Sequence, residues 1–574
     1  MKAYSLYIFP VKKDYFKKIL RGAMLSYTPE YYSVIALLGS VSSSIAGYVI
    51  TLMPKFKFIF PLLPVLFFLI TYAFFATYPF IRMKSRKTKI DLKLPHAITY
   101  MQAFCEVLPL YEIFKMIYQE KEIYGEVSEE FGFIVRDVEL FGDDIVSAMR
   151  NLANSTPSEN LKEFLEGLIM AFESGGSLKD YMLTKIDHFR ERAKRQSELN
   201  LKTLEILAEV YVVMFVAFPI FLIVTIFAMQ LVGESVGYEY YLYLYVFLPI
   251  GSLLLILIID TVNVKEDLSV TRIIRRRSYY PSSIVSDKID HDVKVKEKKG
   301  IRDIISSIFT AIKNNYYNSL YFSGIAVAPF LVLYYKNFIK LKFFESLLAL
   351  LLVLSCIPLL IAFEYRARLV RKVEKDIPNL LREILNLKDV GVSLHDVVRI
   401  IKDSKIGVLS RELRLAYAEM EWGETVIDAL MEVVNRVGTA SIRRVISLLI
   451  NASQATENLR EVLLTTIEDF EFGLKLKTER FVSGFSYLFI VYLSFYIFLY
   501  TIYSLNTSFL SSFAEFGVVS LSGLDLVYRI SIMLAIFSGV IAGQMEKGHI
   551  LYGLKHMCIF VVSSVILFEF ILGG

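Results

Sequence analysis

The residues from which catalytic and metal sites are built are thinly spread in this chain. Cys105, Cys356 and Cys558 lie far apart and form no C-x-x-C pair, so neither a zinc knuckle nor a disulfide framework is indicated. Two of the six histidines, His549 and His556, stand seven apart, but no carboxylate or thiol accompanies them at a ligand spacing. They read as interfacial histidines in a short loop. His96 follows Pro95 and reads as a capping residue at a helix start. No G-x-x-x-x-G-K-[ST], H-E-x-x-H or G-x-S-x-G occurs, so the phosphate loop, zinc-protease helix and nucleophile elbow are all missing. Gly175-Gly176 lacks the lysine and preceding strand of a phosphate loop and reads as a helix break. The expectation is a non-enzyme, with no catalytic, cofactor-binding or metal-ligating residues.

Charge carries more information. Between Glu106 and Glu173 fifteen acids stand against five bases, a net charge of −10. Glu126, Glu129, Glu130, Asp137, Glu139, Asp143 and Asp144 cluster within that stretch. Such a stretch is either a solvated helical face or a docking face for a basic partner. Residues 365–480 hold nineteen bases and eighteen acids and show no such excess. Just beyond the acidic stretch, Arg190, Arg192, Lys194 and Arg195 suit lipid headgroups.

These groups must be positioned by elements that live in a membrane. The 574 residues are 55% hydrophobic, 14% aromatic and only 21% charged, with a mean hydropathy of +0.50. A soluble enzyme, a disordered chain and a nucleic-acid binder are excluded by that balance and by a net charge of only +5. A bilayer core of about 30 Å needs about 20 apolar residues as helix. Nine runs qualify: 31–53, 58–81, 210–232, 240–259, 319–335, 346–363, 481–505, 526–545 and 550–572. The last two carry Arg529, Lys555 and Glu569 near their ends, where long side chains can reach the interface. Glu209, Glu239, Asp260, Glu345 and Glu364 also lie at span ends. Bare span centres argue against a transporter or channel, and the lack of clustered interfacial acids or histidines against a lipid-modifying enzyme. Residues 1–30 are basic and aromatic without the apolar core of a signal peptide. Of 63 Lys and Arg, 55 fall in residues 1–30, 82–208, 261–318 and 365–480, which places those segments in the cytoplasm.

The two large cytoplasmic segments match one another, the mark of a duplication. Tyr124-Gly125-Glu126-Val127-Ser128-Glu129-Glu130 pairs with Ile406-Gly407-Val408-Leu409-Ser410-Arg411-Glu412, and Phe141-Gly142-Asp143-Asp144 with Trp422-Gly423-Glu424-Thr425. Leu178, Met182, Ile186, Phe189 and Ala193 map onto Leu459, Leu463, Ile467, Phe470 and Leu474, one apolar helix face. Gly142 and Gly423 are expected in equivalent turns into helix N-termini. Thr156-Pro157-Ser158-Glu159 reads as a capping box, and no run alternates long enough for a sheet. The expected fold is all-α: a polytopic membrane protein with about nine transmembrane helices and two repeated cytoplasmic helical-bundle domains. Residues 1–81 form a basic amphipathic segment and first pair of spans, 82–208 the first domain and 209–260 the second pair. Residues 261–318 form a linker and amphipathic helix, 319–364 the third pair, 365–480 the second domain and 481–574 the C-terminal spans.

With these matched motifs the duplicated unit resembles the type II secretion F domain. The two-copy fusion, with its terminal Gly543-Gln544-Met545-Glu546-Lys547-Gly548-His549, is similar to archaeal platform proteins of the archaellum and of type IV pili. The second copy departs at Gln454-Ala455-Thr456-Glu457, where the first has Ser174-Gly175-Gly176-Ser177. The resemblance implies a non-enzymatic cell-membrane platform, with a hexameric secretion ATPase docked on its cytoplasmic units. Pilin or archaellin subunits and membrane lipids would be further partners, and a homodimer the expected assembly.

Overall fold

The structure is a computed structural model that describes residues 13–51, 62–231, 246–263, 316–336, 344–455, 459–510 and 522–572. The described residues are 90% helical and contain no strand. The linker 281–300, the amphipathic stretch 301–315 and Thr456-Glu457 lie outside them.

The chain divides into two compact units. The first comprises residues 1–191 together with Ser447–Asp469. It begins with a short basic helix, α1 (Lys13–Gly22), followed by α2 (Pro29–Thr51) and α3 (Leu62–Phe104). Phe16, Ile19 and Leu20 of α1 are buried while Lys17, Lys18 and Arg21 face outward. A bundle follows: α4 (Leu110–Gln119), the single turn α5 (Lys121–Tyr124), α6 (Glu126–Phe141), α7 (Ile145–Ser155), α8 (Glu159–Glu173) and the start of α9 (Leu178–Tyr211). Phe114 of α4 stacks on Phe131 of α6 at 5.0 Å, and Phe164 of α8 on Tyr181 of α9 at 6.0 Å.

The second unit holds residues 192–446 and 470–574. Here α9 runs through a π-helical segment, Val212–Ala217, into α10 (Phe218–Leu231). Next come α11 (Leu248–Val262), α12 (Ser323–Tyr335) and α13 (Phe344–Asp389). The second bundle has α14 (Leu394–Ile401), α15 (Leu409–Glu421), α16 (Val426–Val437) and α17 (Ala440–Ala455), followed by α18 (Arg460–Ser504); α17 from Ser447 and α18 up to Asp469 belong to the first unit. The last two helices are α19 (Ser522–Lys547) and α20 (Gly553–Ile566).

The expected count of nine spans is not reproduced. Among the described residues six helices are long and apolar enough to cross a membrane: Leu178–Ile226, Tyr316–Tyr335, Phe344–Asp389, Arg460–Thr507, Leu526–Lys547 and Ile550–Ile571. The run at 240–259 yields α11, with only 15 described residues. The first two runs correspond to α2 and the start of α3, with 52–61 between them outside the described residues. Arg529, near the start of the eighth run, meets Glu345 at 2.8 Å, so each charge there has a partner.

Two local expectations are corrected. His96 does not stand at a helix start: α3 continues unbroken through Pro79 and Pro95. An interior proline removes a backbone donor and costs about 3 kcal/mol. The helix survives because Ile90, Leu94, Ala97, Ile98 and Met101, all fully buried, keep one apolar stripe on both sides of Pro95. Likewise α13 passes Pro358 and Pro378, with Phe363, Ala367, Val370, Val373, Ile377 and Leu381 in one buried line. The second correction concerns α8, which starts at Glu159: Ser158 Oγ, not Thr156, accepts the Leu161 N–H, at 3.0 Å. Ser158 also bonds Asp91 of α3, which fixes it as the cap, while Thr156 closes α7.

Each bundle repeats the same sequence of turns. Gly125 and Gly407 open α6 and the turn before α15 at φ +58° and +59°. Gly142 and Gly423 join α6 to α7 and α15 to α16 at φ +71° and +97°. These left-handed angles disfavour a side chain. A Cβ at either position would meet nothing within 4 Å, so the constraint there is purely backbone. The α19–α20 hairpin is different. A Cβ on Gly543 would lie 2.0 Å from the backbone nitrogen of Gly553, and one on Gly539 2.2 Å from Cα of Met557. Small residues let apolar helices approach this closely.

Gly142→Ala is therefore expected to cost about 1–2 kcal/mol, whereas Gly543→Ala, which forces backbones apart, lowers the melting temperature of the detergent-solubilised protein by distinctly more. Thermal unfolding of the two variants side by side checks this order.

Candidate functional site

The acids of the first bundle do not form one open face. At the centre stands Arg86, on α3, 4% exposed. Its Nε donates to Glu126 Oε2 at 2.8 Å, Nη2 to Glu130 Oε1 at 2.7 Å, and Nη1 to the Gly22 carbonyl at 2.6 Å. One guanidinium thus joins α1, α3 and α6. Glu130 is 2% exposed. Burial pushes its carboxyl above the ordinary range, against the pull of Arg86.

The remaining acids have partners of their own. Asp137, buried, accepts from Arg136 at 2.7 Å. Glu129 pairs with Lys121. Glu139 accepts from the Tyr111 hydroxyl and from Lys115 Nζ at 3.0 Å, which hold its carboxyl low. Asp144 is the N-cap of α7, accepting from the Ser147 hydroxyl at 2.8 Å and the Val146 N–H at 2.9 Å, and its carboxyl is held low by these bonds. Asp143 accepts from Asn151 Nδ2 at 3.4 Å. The structure brings together Glu126 and Glu130 at Arg86, and Asp143 and Asp144 at the Gly142 turn. Glu129, Asp137 and Glu139 sit apart along α6. Gly175, at φ +67°, and Gly176 form the break between α8 and α9.

In the second bundle the corresponding turn has Thr425 as the N-cap of α16, its hydroxyl accepting from the Asp428 N–H at 3.1 Å. Glu412, the counterpart of Glu130, receives Arg436 at 2.9 Å. Ser128 and Ser410 both donate to a backbone carbonyl at 2.7 Å, those of Ile117 and Ser404. The ring before each turn glycine, matched between the two copies in sequence, stands in the open. Phe141 is 69% exposed and Trp422 is 90% exposed.

Sequence spacing also missed a cluster at the α19–α20 hairpin. Glu546, 5% exposed, meets Lys547 at 2.9 Å, Lys555 at 2.8 Å and His556 Nε2 at 3.0 Å. His556 Nδ1 lies 2.7 Å from the Tyr492 hydroxyl. His556 is thus a buried residue of α20, not a loop histidine, and its carboxylate partner stands ten residues earlier across the hairpin. His549 stays in the turn, accepting the Leu551 N–H at 3.1 Å. No metal-binding group of three or more His, Cys, Asp or Glu occurs among the described residues. His96 also finds a carboxylate, Asp469, at 2.9 Å within the first compact unit.

The fold and these sites define a multi-pass, all-helical membrane protein built around a duplicated bundle. The family model described as type II secretion system protein F matches the chain twice, at residues 106–226 and 380–505. Proteins of that family are membrane platforms rather than known enzymes. An uncharacterised protein of Methanocaldococcus jannaschii is 21% identical over 514 residues, covering 87% of this chain and 82% of its own length. Flagella accessory protein J of the same organism is 26% identical over 182 residues, 32% of each chain. The protein of that name from Methanococcus voltae is 29% identical over 136 residues, 24% of each chain. No solved structure matches.

Replacing Arg86 with methionine leaves Glu130 buried without its counter-charge, and a broken buried pair costs about 3–5 kcal/mol. The raised pKa of Glu130 sets the sign: a carboxyl with a raised folded-state pKa stabilises the fold when protonated, and that stability is lost as pH rises. The deficit of R86M relative to wild type should be larger near pH 7 than near about pH 5. Melting curves at the two pH values test it; a deficit that grows on acidification contradicts it.

Proposed function

We propose that this protein is the membrane platform of a type IV filament assembly machine, of the archaellum or pilus kind. A hexameric ATPase docks on its cytoplasmic bundles, and movement there passes through the helices to pilin or archaellin subunits in the membrane. The observation that carries this reading is the continuity of α3, α9–α10, α13 and α18, each of which runs without a break between an apolar run and a bundle. A helix of 46 residues such as α13 is about 69 Å long at 1.5 Å per residue. It can deliver a displacement across the interface without an intervening hinge. The sequence holds no phosphate loop, so the energy comes from a partner. The lysine and arginine bias favours bundles on the cytoplasmic side, and the name of the two flagella accessory relatives supports a filament machine. The assembly is a homodimer, the commonest closed symmetry.

Among the seven acids of this stretch, Glu129 and Asp143 combine surface position with few structural duties, and Asp144 is exposed although it caps α7. Glu126, Glu130 and Asp137 are engaged within the bundle. Glu129→Gln, Asp143→Asn and Asp144→Asn together remove three charges, and asparagine caps a helix about as well as aspartate. The triple variant should fold normally. Its binding to the ATPase in nanodiscs should weaken and lose part of its salt dependence. Unchanged affinity at both low and high salt removes the acids from the contact, while absence of binding by the unmodified protein removes the platform reading itself.

A further inference from the structure

The fold accounts for most of each aromatic–glycine–acid turn. Gly142 and Gly423 are required by their positive φ. Asp144 and Thr425 are required as N-caps. The ring itself is not required. Phe141 and Trp422 close α6 and α15 with their side chains in the open, and Leu140 beside Phe141 is 74% exposed. The two bundles differ at most positions, yet both place a large ring at the same point of the same turn. The membrane does not cover these rings through their own helices, since neither α6 nor α15 is among the apolar spans.

We propose that the two turns are copies of one docking element. Each inserts its ring into an apolar pocket, rimmed by lysine or arginine, on a soluble protein partner. This rests on the platform reading, in which that partner is the ATPase. Two observations fix the chemistry of the pocket. Exposed acids flank both rings: Asp144, with half-exposed Asp143, follows Phe141, and Glu421 and Glu424 bracket Trp422. A rim of the opposite charge complements them. The Arg136 guanidinium, bonded to Asp137 and 4.8 Å from the Phe133 centre, also lies 5.6 Å from the centre of Phe141, so a cation can approach that ring. Aromatic anchors in desolvated pockets dominate interfaces, and neighbouring polar contacts exclude water around them.

Trp422 is the single tryptophan of the chain, which makes the test direct. The full-length protein is labelled with 5-fluorotryptophan, placed in nanodiscs and titrated with unlabelled ATPase while the fluorine resonance is followed. Affinity is measured in parallel for wild type, Phe141→Ala, Trp422→Ala, the double variant and Phe141→Trp. Both alanine sites are exposed, so melting curves should match wild type. The expected result is a shifted fluorine resonance on binding, at least about tenfold weaker binding in each single alanine variant, a larger loss in the double, and retention in Phe141→Trp. Wild-type affinity in the double variant, with an unmoved resonance, overturns the docking element and leaves the platform reading intact. A resonance that shifts with protein concentration alone assigns the rings to a second copy of this chain and overturns the proposed partner. A wild-type protein that binds no ATPase overturns this occupant together with the platform reading.

Discussion

The structure depends on one constraint: backbone groups inside a bilayer must bond to their own helix. A chain that obeys this rule within the membrane can either break at the interface or continue. Here it continues. The entry helices α3 and α13 hold 43 and 46 residues, and α18 holds 45. The buried stripes that anchor the bundles lie on these same helices, so each bundle shares a helix with an apolar run. The prolines at the junctions remove a bond each, but the stripe on either side keeps its phase and holds the helix together.

Arg86 shows what this arrangement does to charge. A guanidinium just past the second apolar run is buried by the bundle that folds around it, so it must be paired. Glu126 and Glu130 supply the carboxylates, and the carbonyl of Gly22 ends α1 against the same group. The second bundle answers the same need with different residues: Arg366, 5% exposed, donates to the Gly438 carbonyl at 2.6 Å, and Arg436 takes Glu412. Duplicated bundles can therefore share helices and turns while their ion pairs diverge.

Much of this was legible in the sequence because it rests on periodicity and backbone angle. The repeat, the helical class and the turns at Gly142 and Gly423 follow from apolar spacing and from glycine before an N-cap. The acids were harder. Charge density marked a face, but Glu130 and Asp137 share the face of Val127 and Ile134 on α6, at spacings of three and four, and that phase buries them. Partners distant in sequence were not readable at all: Arg86 lies 40 residues from Glu126. The Glu546–His556 pair forms only because glycines let α19 and α20 close on each other. Pro95 reads as a helix start because local sequence cannot show that a longer helix is already running into it.

On this reading the long helices continue rigidly from their apolar runs into the bundles. Spin labels at Ile361 and Asn386, both exposed on α13 on either side of Pro378, measure this in the reconstituted protein. An unbroken helix places them about 38 Å apart at 1.5 Å per residue. A rigid helix gives one narrow distance distribution near that value, unchanged when the ATPase binds. A broad or two-peaked distribution would mean a hinge at Pro378 and would contradict it.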